Sequence, residues 1–286
     1  MTPAPLQRWQ VAATIGIVIL SAVSSLLGLF RPGHYPPALL PAFYVQDLLL
    51  LVLAVPVLAV ALRYAMAGSL RGRIVWLGAL AYMTYMWISI ALQVPFNRFF
   101  LGYVALFSLS MFTFVGGAVS ADADAVRRSL ADRVSERVYG AVLIVIAIGL
   151  ATLWLAELVP ATLTGTPPLL VEEMGAQALV SHFVDLAIVV PALLIAGGWL
   201  WRGRPWGYVF AGVGLVFGAL LAPTIAGMTV VLVLGGDVTV PPVALVFTMA
   251  PILLAAVLAG RYVSLLSGAE RVASSDEGSQ PSTADG

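Results

Sequence analysis

The sequence has no cysteine, and this absence removes several kinds of chemistry. Without a thiol there is no disulfide, no thiolate metal site, no covalent c-type haem attachment and no cysteine nucleophile. The 14 basic residues are all arginines, so lysine is absent as well, and a retinal or pyridoxal Schiff base has no amine on which to form. We expect no bound cofactor.

Charge is also scarce. Only 10% of the residues are charged, 61% are hydrophobic, and the mean hydropathy is +1.01. Such a chain cannot hide its apolar side chains in one water-soluble core, so lipid must solvate most of them. The net formal charge is zero, and no basic run lies on a soluble face, which argues against a nucleic-acid partner. The composition predicts an integral membrane protein whose main partner is the lipid bilayer.

Apolar windows of about 20 residues predict the membrane spans, because a helix of that length crosses about 30 Å of hydrocarbon. Eight windows fit, and they predict an all-α, polytopic transmembrane helix bundle: 11–30, 42–64, 74–93, 99–119, 139–159, 179–201, 208–234 and 243–266. With both termini inside, 12 of the 14 arginines are cytoplasmic, as the positive-inside rule requires. We therefore expect a multi-pass plasma-membrane protein with both termini in the cytoplasm.

The chain divides into four parts. Residues 1–120 form a first transmembrane half, 121–138 a cytoplasmic amphipathic linker, 139–267 a second half, and 268–286 a disordered cytoplasmic tail. In the linker, apolar residues recur every fourth position from Val126 to Val138, which is typical of a helix with one buried face. Pro160 is expected to break the chain after the fifth span and Pro223 to break the seventh.

Two segments resemble each other and suggest an internal repeat. In the first segment, Asp47 precedes an apolar run that contains Pro56 and leads to an Arg-Gly-Arg turn at 71–73. In the second, Asp185 precedes an apolar run that contains Pro191 and leads to an Arg-Gly-Arg turn at 202–204. In two parallel four-helix repeats, a pseudo-twofold axis along the membrane normal would set the two acids opposite each other. The number of residues between the acid and the first arginine of the turn differs between the two segments, so an accidental likeness stays an alternative.

The apolar runs after Asp47 and Asp185 are too short to span the membrane unless each helix begins before its acid. Both acids should therefore lie inside the outer leaflet, where ionisable groups are costly and are functional suspects. Together with nearby polar residues they form a predicted outward-facing ligand site: Gln46, Asp47, Tyr85, Gln93, Asn97, Arg98, His182 and Asp185. The alternative is structural: Arg98 serves as the counter-ion of one acid, or the acids cap helix starts.

A metal site is a weaker interpretation of the same residues. His182 and Asp185 are three residues apart on one helix face, and with His34, Glu157 or Asp47 they are candidate metal ligands. Lone helical His and Asp pairs are common, however. A membrane b-type haem needs paired histidines deep in helices, whereas both histidines here lie near the outer edge.

Several short motifs carry a resemblance to other proteins: Gln46-Asp47-Leu48, Gly68-Ser69-Leu70-Arg71-Gly72-Arg73, Trp76-Leu77-Gly78, Phe96-Asn97-Arg98-Phe99-Phe100 and Arg204-Pro205-Trp206-Gly207-Tyr208. Over helices two to four and six to seven, the chain resembles a group of uncharacterised prokaryotic multi-span membrane proteins. That group has no assigned activity. The resemblance therefore implies a membrane fold and nothing about function.

Three functional hypotheses follow. The first is a transporter or small-ligand-binding bundle, favoured by acids inside the membrane and by prolines within helices, although the centres of the spans lack charge. The second is a non-catalytic accessory, sensor or scaffold protein, whose arginine loops contact a cytoplasmic protein or anionic lipid. An intramembrane enzyme is the least supported, because the chain has no recognisable nucleophile arrangement and no His-Glu-x-x-His run. The oligomeric state is left open.

Overall fold

The fold is all-α, as predicted. A computed structural model describes residues 5–36, 40–235, 250 and 253–266, and no strand occurs within these ranges. The helices are α1 Arg8–Phe30, α2 Leu40–Met66, α3 Leu70–Gln93, α4 Phe100–Val119, α5 Ala123–Leu130, α6 Glu136–Thr164, α7 Leu169–Met174, α8 Ala178–Trp201, α9 Pro205–Gly235 and α10 Leu253–Leu266.

Seven of these helices are long and apolar enough to cross a membrane: α1, α2, α3, α4, α6, α8 and α9. They correspond to the first seven predicted windows, so the chain is a multi-pass membrane protein. The shorter helix α10 covers the end of the eighth window, whose beginning lies outside the described residues. The eighth span therefore stays a prediction, and the predicted tail, 268–286, also falls outside the described ranges.

Two prolines lie inside helices that they were expected to break. Helix α6 continues through Pro160 and ends only at Gly165, whose φ of 72° provides a left-handed cap. Helix α9 continues through Pro223 to Gly235. A proline removes one N–H donor from a helix, and in membrane helices side-chain hydroxyls can satisfy part of the freed backbone. At Pro160 the carbonyl that loses its donor is that of Ala156, and one turn after the proline the Thr164 hydroxyl donates to the Pro160 carbonyl at 2.9 Å.

Helix α3 is the centre of the bundle. It packs against α2, α4 and α9, and its large side chains Trp76, Tyr82 and Trp87 are almost completely buried. Helix α1 packs against α2 and α4, and α8 lies between α6 and α9. Helix α6 contacts chiefly α8 and leaves many apolar side chains exposed. This pattern fits a bundle whose outer helices are solvated by lipid.

The linker forms the short helix α5, which packs against α9. Val126, Leu130 and Val134 are buried, as the spacing of four predicts, and Asp122 caps the helix by accepting from the Ala125 N–H at 2.8 Å. Val138 departs from the pattern. It is exposed, because the chain turns at Ser135 and Val138 already belongs to α6.

Helices α2 and α8 share an irregular feature. Each contains a five-residue π-helical turn, at Leu50–Ala54 and at Asp185–Val189, and in each a proline follows two residues after the turn ends. A proline ring collides with the carbonyl four residues earlier, and a wider turn relieves that collision. Isolated π turns in α-helices are frequent at functional sites. Here both turns lie beside an acidic residue.

Two buried carboxylates as a candidate functional site

Both acids lie at one end of the bundle, where α1, α3 and α6 end and α2, α4 and α8 begin. We call it the acid end. The opposite end holds the turns around Arg71 and Arg202 and is called the arginine end. Asp47 is 0% exposed and Asp185 is 6% exposed, so neither carboxylate is on the surface of the protein. Each is surrounded by its own set of polar and aromatic side chains.

Asp47 lies between α2, α1 and the turn that follows α1. The Tyr35 hydroxyl donates to Asp47 Oδ2 at 2.8 Å, and a Cβ added to Gly28 of α1 would lie 1.7 Å from the same oxygen. Only glycine at position 28 therefore lets the carboxylate sit there. The Ser25 side chain also interacts with this carboxylate, although Asp47 Oδ1 is buried and forms no hydrogen bond of normal geometry among the described residues.

A second set of hydrogen bonds lies next to Tyr35, which interacts with the Tyr103 hydroxyl and packs its ring on that of His34. The Phe99 N–H donates to Asn97 Oδ1 at 2.8 Å, which directs the Asn97 amide nitrogen to the Tyr103 hydroxyl at 3.2 Å. That hydroxyl can then donate to His34 Nε2, 2.9 Å away. Asp47, Tyr35, His34, Asn97 and Tyr103 are called the Asp47 cluster.

The pKa shifts of His34 and Tyr35, the two residues of this cluster that lie in the loop after α1, agree with their roles in the hydrogen bonds. Burial, with the Arg31 guanidinium adding to it, lowers the pKa of His34 below its ordinary value of 6.5. A neutral His34 is the form that can accept from Tyr103. Burial, together with the Asp47 carboxylate, raises the pKa of the Tyr35 hydroxyl. Tyr35 therefore keeps its proton and remains a donor to Asp47.

Asp185 begins the π turn of α8 and lies against α6 and α3. The Trp154 indole N–H donates to Asp185 Oδ2 at 2.9 Å, and Tyr85 of α3 interacts with the same carboxylate. One turn earlier, the His182 ring packs on Trp154 with centroids 4.2 Å apart, and its Nε2 lies 3.3 Å from Glu157 Oε2. These five residues are called the Asp185 cluster.

The structure thus divides the predicted site residues. Asp47 and Asn97 belong to the Asp47 cluster, and Tyr85, His182 and Asp185 to the Asp185 cluster. The Gln93 amide donates to Ser181 Oγ at 3.1 Å, beside the second group. Gln46 is buried next to Asp47 in the sequence, and its amide nitrogen has no hydrogen-bond partner among the described residues.

Arg98 does not act as the expected counter-ion. It is exposed, and among the described residues no arginine forms an ion pair with Asp47 or Asp185. The 94–99 turn directs Asn97 inwards, onto Tyr103 and its own backbone, while Arg98 stays at the surface. Neutral donors, Tyr35 and Trp154, therefore bind the two acids in place of a cation.

No family model, curated protein or solved structure matches this chain. Its activity has to be argued from its own residues, and the resemblance to prokaryotic multi-span membrane proteins stays a prediction. The described part of the chain also contains no group of three or more His, Asp or Glu side chains placed to hold a metal ion. His34 lies in one cluster while His182 and Asp185 lie in the other, so the three metal candidates are not brought together.

Sequence reasoning overlooked some partners of the acids. Tyr35 and Trp154 make the most direct contacts to Asp47 and Asp185, yet neither was among the predicted site residues. Trp154 and Glu157 are three residues apart on α6, a spacing that puts both on one helix face. That spacing was available as a signal. The position of Tyr35 had no such signal, since it lies in a proline-rich turn.

A shallow groove of about 430 Å³ lies on the surface of the bundle beside His182. It lies between α6 and α8, and its walls are otherwise apolar: Leu158, Leu179, Phe183, Leu186 and Ala187. Glu157 remains 23% exposed, whereas His182 is 2% exposed. The Asp185 cluster is therefore buried but close to a lateral opening.

Proposed function

We propose that this chain is a small-ligand-binding and transport protein of the plasma membrane, which takes a small cation at its acid end. The observation that carries the proposal is the pairing of a buried carboxylate with a π turn and a proline in both α2 and α8. Acids inside membrane spans are costly and usually serve ligand, ion or proton pathways. Carboxylates recognise cations, whether metal ions or protonated amines.

The Asp47 cluster supports ligand binding through its unsatisfied atoms. Asp47 Oδ1 and Gln46 Nε2 are buried and form no hydrogen bond of normal geometry in the described chain, although the Ser25 side chain interacts with the Asp47 carboxylate. A buried polar group left unpaired costs roughly 1–3 kcal/mol. A ligand that supplies a positive charge or a donor to Asp47 Oδ1 would remove that cost. The two atoms belong to adjacent residues of α2, just before its π turn.

The arrangement of helices supports a carrier built from two related halves. Helix α3 packs against α9, α2 also packs against α9, and the beginning of α8 packs against α3. These contacts are the ones that a pseudo-twofold axis between α3 and α9 would generate, as in transporters made of parallel repeats. The π turns then mark equivalent hinge points in α2 and α8. The arginine end faces the cytoplasm, where its loops contact anionic lipid or a partner protein.

A non-catalytic accessory or sensor protein is the second candidate. It is favoured by one specific observation, that Tyr35 and Trp154 already satisfy one oxygen of each carboxylate. In that case the two clusters fasten helices together and bind no ligand.

Cation-dependent stability separates the two candidates. We would measure thermal unfolding of the purified protein with sodium, potassium, calcium and methylammonium chlorides, using choline chloride as the ionic-strength control. A ligand that binds only the folded state raises the melting temperature. For a binding protein, at least one of these cations stabilises the parent and an Asp124→Asn control, whose acid is exposed on α5, but not Asp47→Asn or Asp185→Asn. If none of these cations stabilises the parent, the cation-binding proposal fails and the accessory function is favoured.

A further inference from the structure

The hydrogen bonds of His182 determine which of its two ring nitrogens carries a proton. His182 Nδ1 lies 2.8 Å from the Ala178 carbonyl oxygen, one turn earlier on α8. A carbonyl oxygen only accepts hydrogen bonds, so Nδ1 must carry a proton. The tautomer of a neutral His182 is therefore fixed, and its Nε2 would have a lone pair and no hydrogen.

That lone pair would point at a carboxylate. Nε2 lies 3.3 Å from Glu157 Oε2, and two lone pairs at that distance do not form a hydrogen bond. A proton between the two atoms is required, either on Nε2 as part of an imidazolium or on Oε2 as part of a carboxylic acid. Both forms contain one more proton than neutral His182 beside ionised Glu157.

Residues of three helices hold this pair in place. On α6, Trp154 packs against the His182 ring; from α7, the Leu170 N–H donates to Glu157 Oε1 at 2.6 Å. Helix α3 contributes Tyr85 and Gln93, which face Asp185 and Ser181. Asp185 is the other acid of the cluster, and no arginine pairs with it or with Glu157 among the described residues.

We propose that His182 and Glu157 form a binding site for a single proton, shared between Nε2 and Oε2. The geometry favours this site because the Ala178 carbonyl fixes one nitrogen and the Leu170 N–H fixes the other carboxylate oxygen. The role of this site rests on the proposed function: its proton is the ion that the Asp185 cluster releases when a cation binds. The site itself is defined without reference to transport.

Nitrogen NMR of histidine tests the site directly, because the chain has 2 histidines. In protein that is labelled with ¹⁵N-histidine, carries His34→Gln and has no histidine tag, His182 gives the only histidine signals. Protonated, hydrogen-bonded and bare ring nitrogens have well-separated shifts. We expect Nδ1 to show the shift of a protonated, hydrogen-bonded nitrogen. We expect Nε2 to show the shift of a protonated or strongly hydrogen-bonded nitrogen near neutral pH.

The variant Glu157→Gln removes one half of the site with little change in shape. The Nε2 signal should then move towards that of an unprotonated nitrogen, because the glutamine amide can donate a hydrogen bond to Nε2 but cannot transfer its proton. Glu172→Gln, which neutralises an exposed acid on α7, serves as the matched control and should leave both signals unchanged. A bare Nε2 in the parent, a bare Nδ1, or identical spectra for parent and Glu157→Gln would each overturn the proton site. None of these results depends on a ligand, so the cation measurements can fail or succeed independently.

Discussion

At the scale of single residues, α1 packs closely against Asp47 because residue 28 is a glycine and has no side chain. A Cβ at Gly28 would lie 1.7 Å from Asp47 Oδ2 and 2.8 Å from the Tyr35 ring. Glycine is required here for space and not for an unusual backbone angle. The Asp47–Tyr35 hydrogen bond and the packing of α1 on α2 are therefore linked at one position.

Replacing Gly28 with alanine should destabilise the protein by about 1–3 kcal/mol, the usual cost of inserting a methyl group into a packed site. The carboxylate would have to leave Tyr35 or α1 would have to move. Gly149→Ala is the matched control, since nothing lies within 4 Å of a Cβ added on that part of α6. Thermal unfolding in detergent measures both. Equal melting temperatures would show that the Asp47 cluster does not need the close approach.

His34 should make stability depend on pH. Its folded pKa lies below the unfolded value of 6.5, so below that pH the unfolded chain binds a proton that the folded chain resists. The contribution is complete above pH 6.5 and is lost progressively as the pH falls below it. We expect His34→Gln to show a smaller loss of melting temperature than the parent between about pH 8 and about pH 5. The same loss in both proteins would contradict the assignment.

At the scale of helices, the attachment of α6 depends on its contact with α8. A Cβ added to Gly140 would lie 2.8 Å from the Gly197 carbonyl oxygen, and one added to Gly197 would lie equally close to the Gly140 carbonyl oxygen. Small residues let helix backbones approach closely in membranes. This contact matters for the site because α6 carries Trp154 and Glu157, both partners of side chains on α8.

Gly197→Ala should therefore separate α6 from α8 and lower the melting temperature, by an amount corresponding to about 1–3 kcal/mol. The adjacent Gly198→Ala is an unusually close control, because a Cβ at Gly198 meets nothing within 4 Å. In the first variant, Trp154 should also lose its contact with Asp185, which a change in tryptophan fluorescence would report. If the two alanine variants unfold at the same temperature, the contact between glycines does not limit stability.

At the scale of the whole molecule, the predicted orientation can be tested because the chain has no cysteine of its own. Thr166→Cys places a thiol at the acid end and Asp132→Cys places one at the arginine end; both positions are exposed. With the arginines inside, a membrane-impermeant maleimide should label Thr166→Cys on intact cells and Asp132→Cys only after lysis. The reverse pattern would place the carboxylate clusters on the cytoplasmic side and invert the proposed direction of ligand entry.

The sequence by itself determined the membrane location, the all-α class and the first seven spans, because length and hydropathy are local properties that the bilayer selects for directly. It also placed Asp47 and Asp185 inside helices, since the apolar runs after them are too short to span alone. The π turns, the continuity of α6 through Pro160, and the choice of Tyr35 and Trp154 over Arg98 were decided by tertiary structure. Each depends on which side chain from a distant segment contacts a given atom, and the spacing of residues in the sequence does not determine that contact.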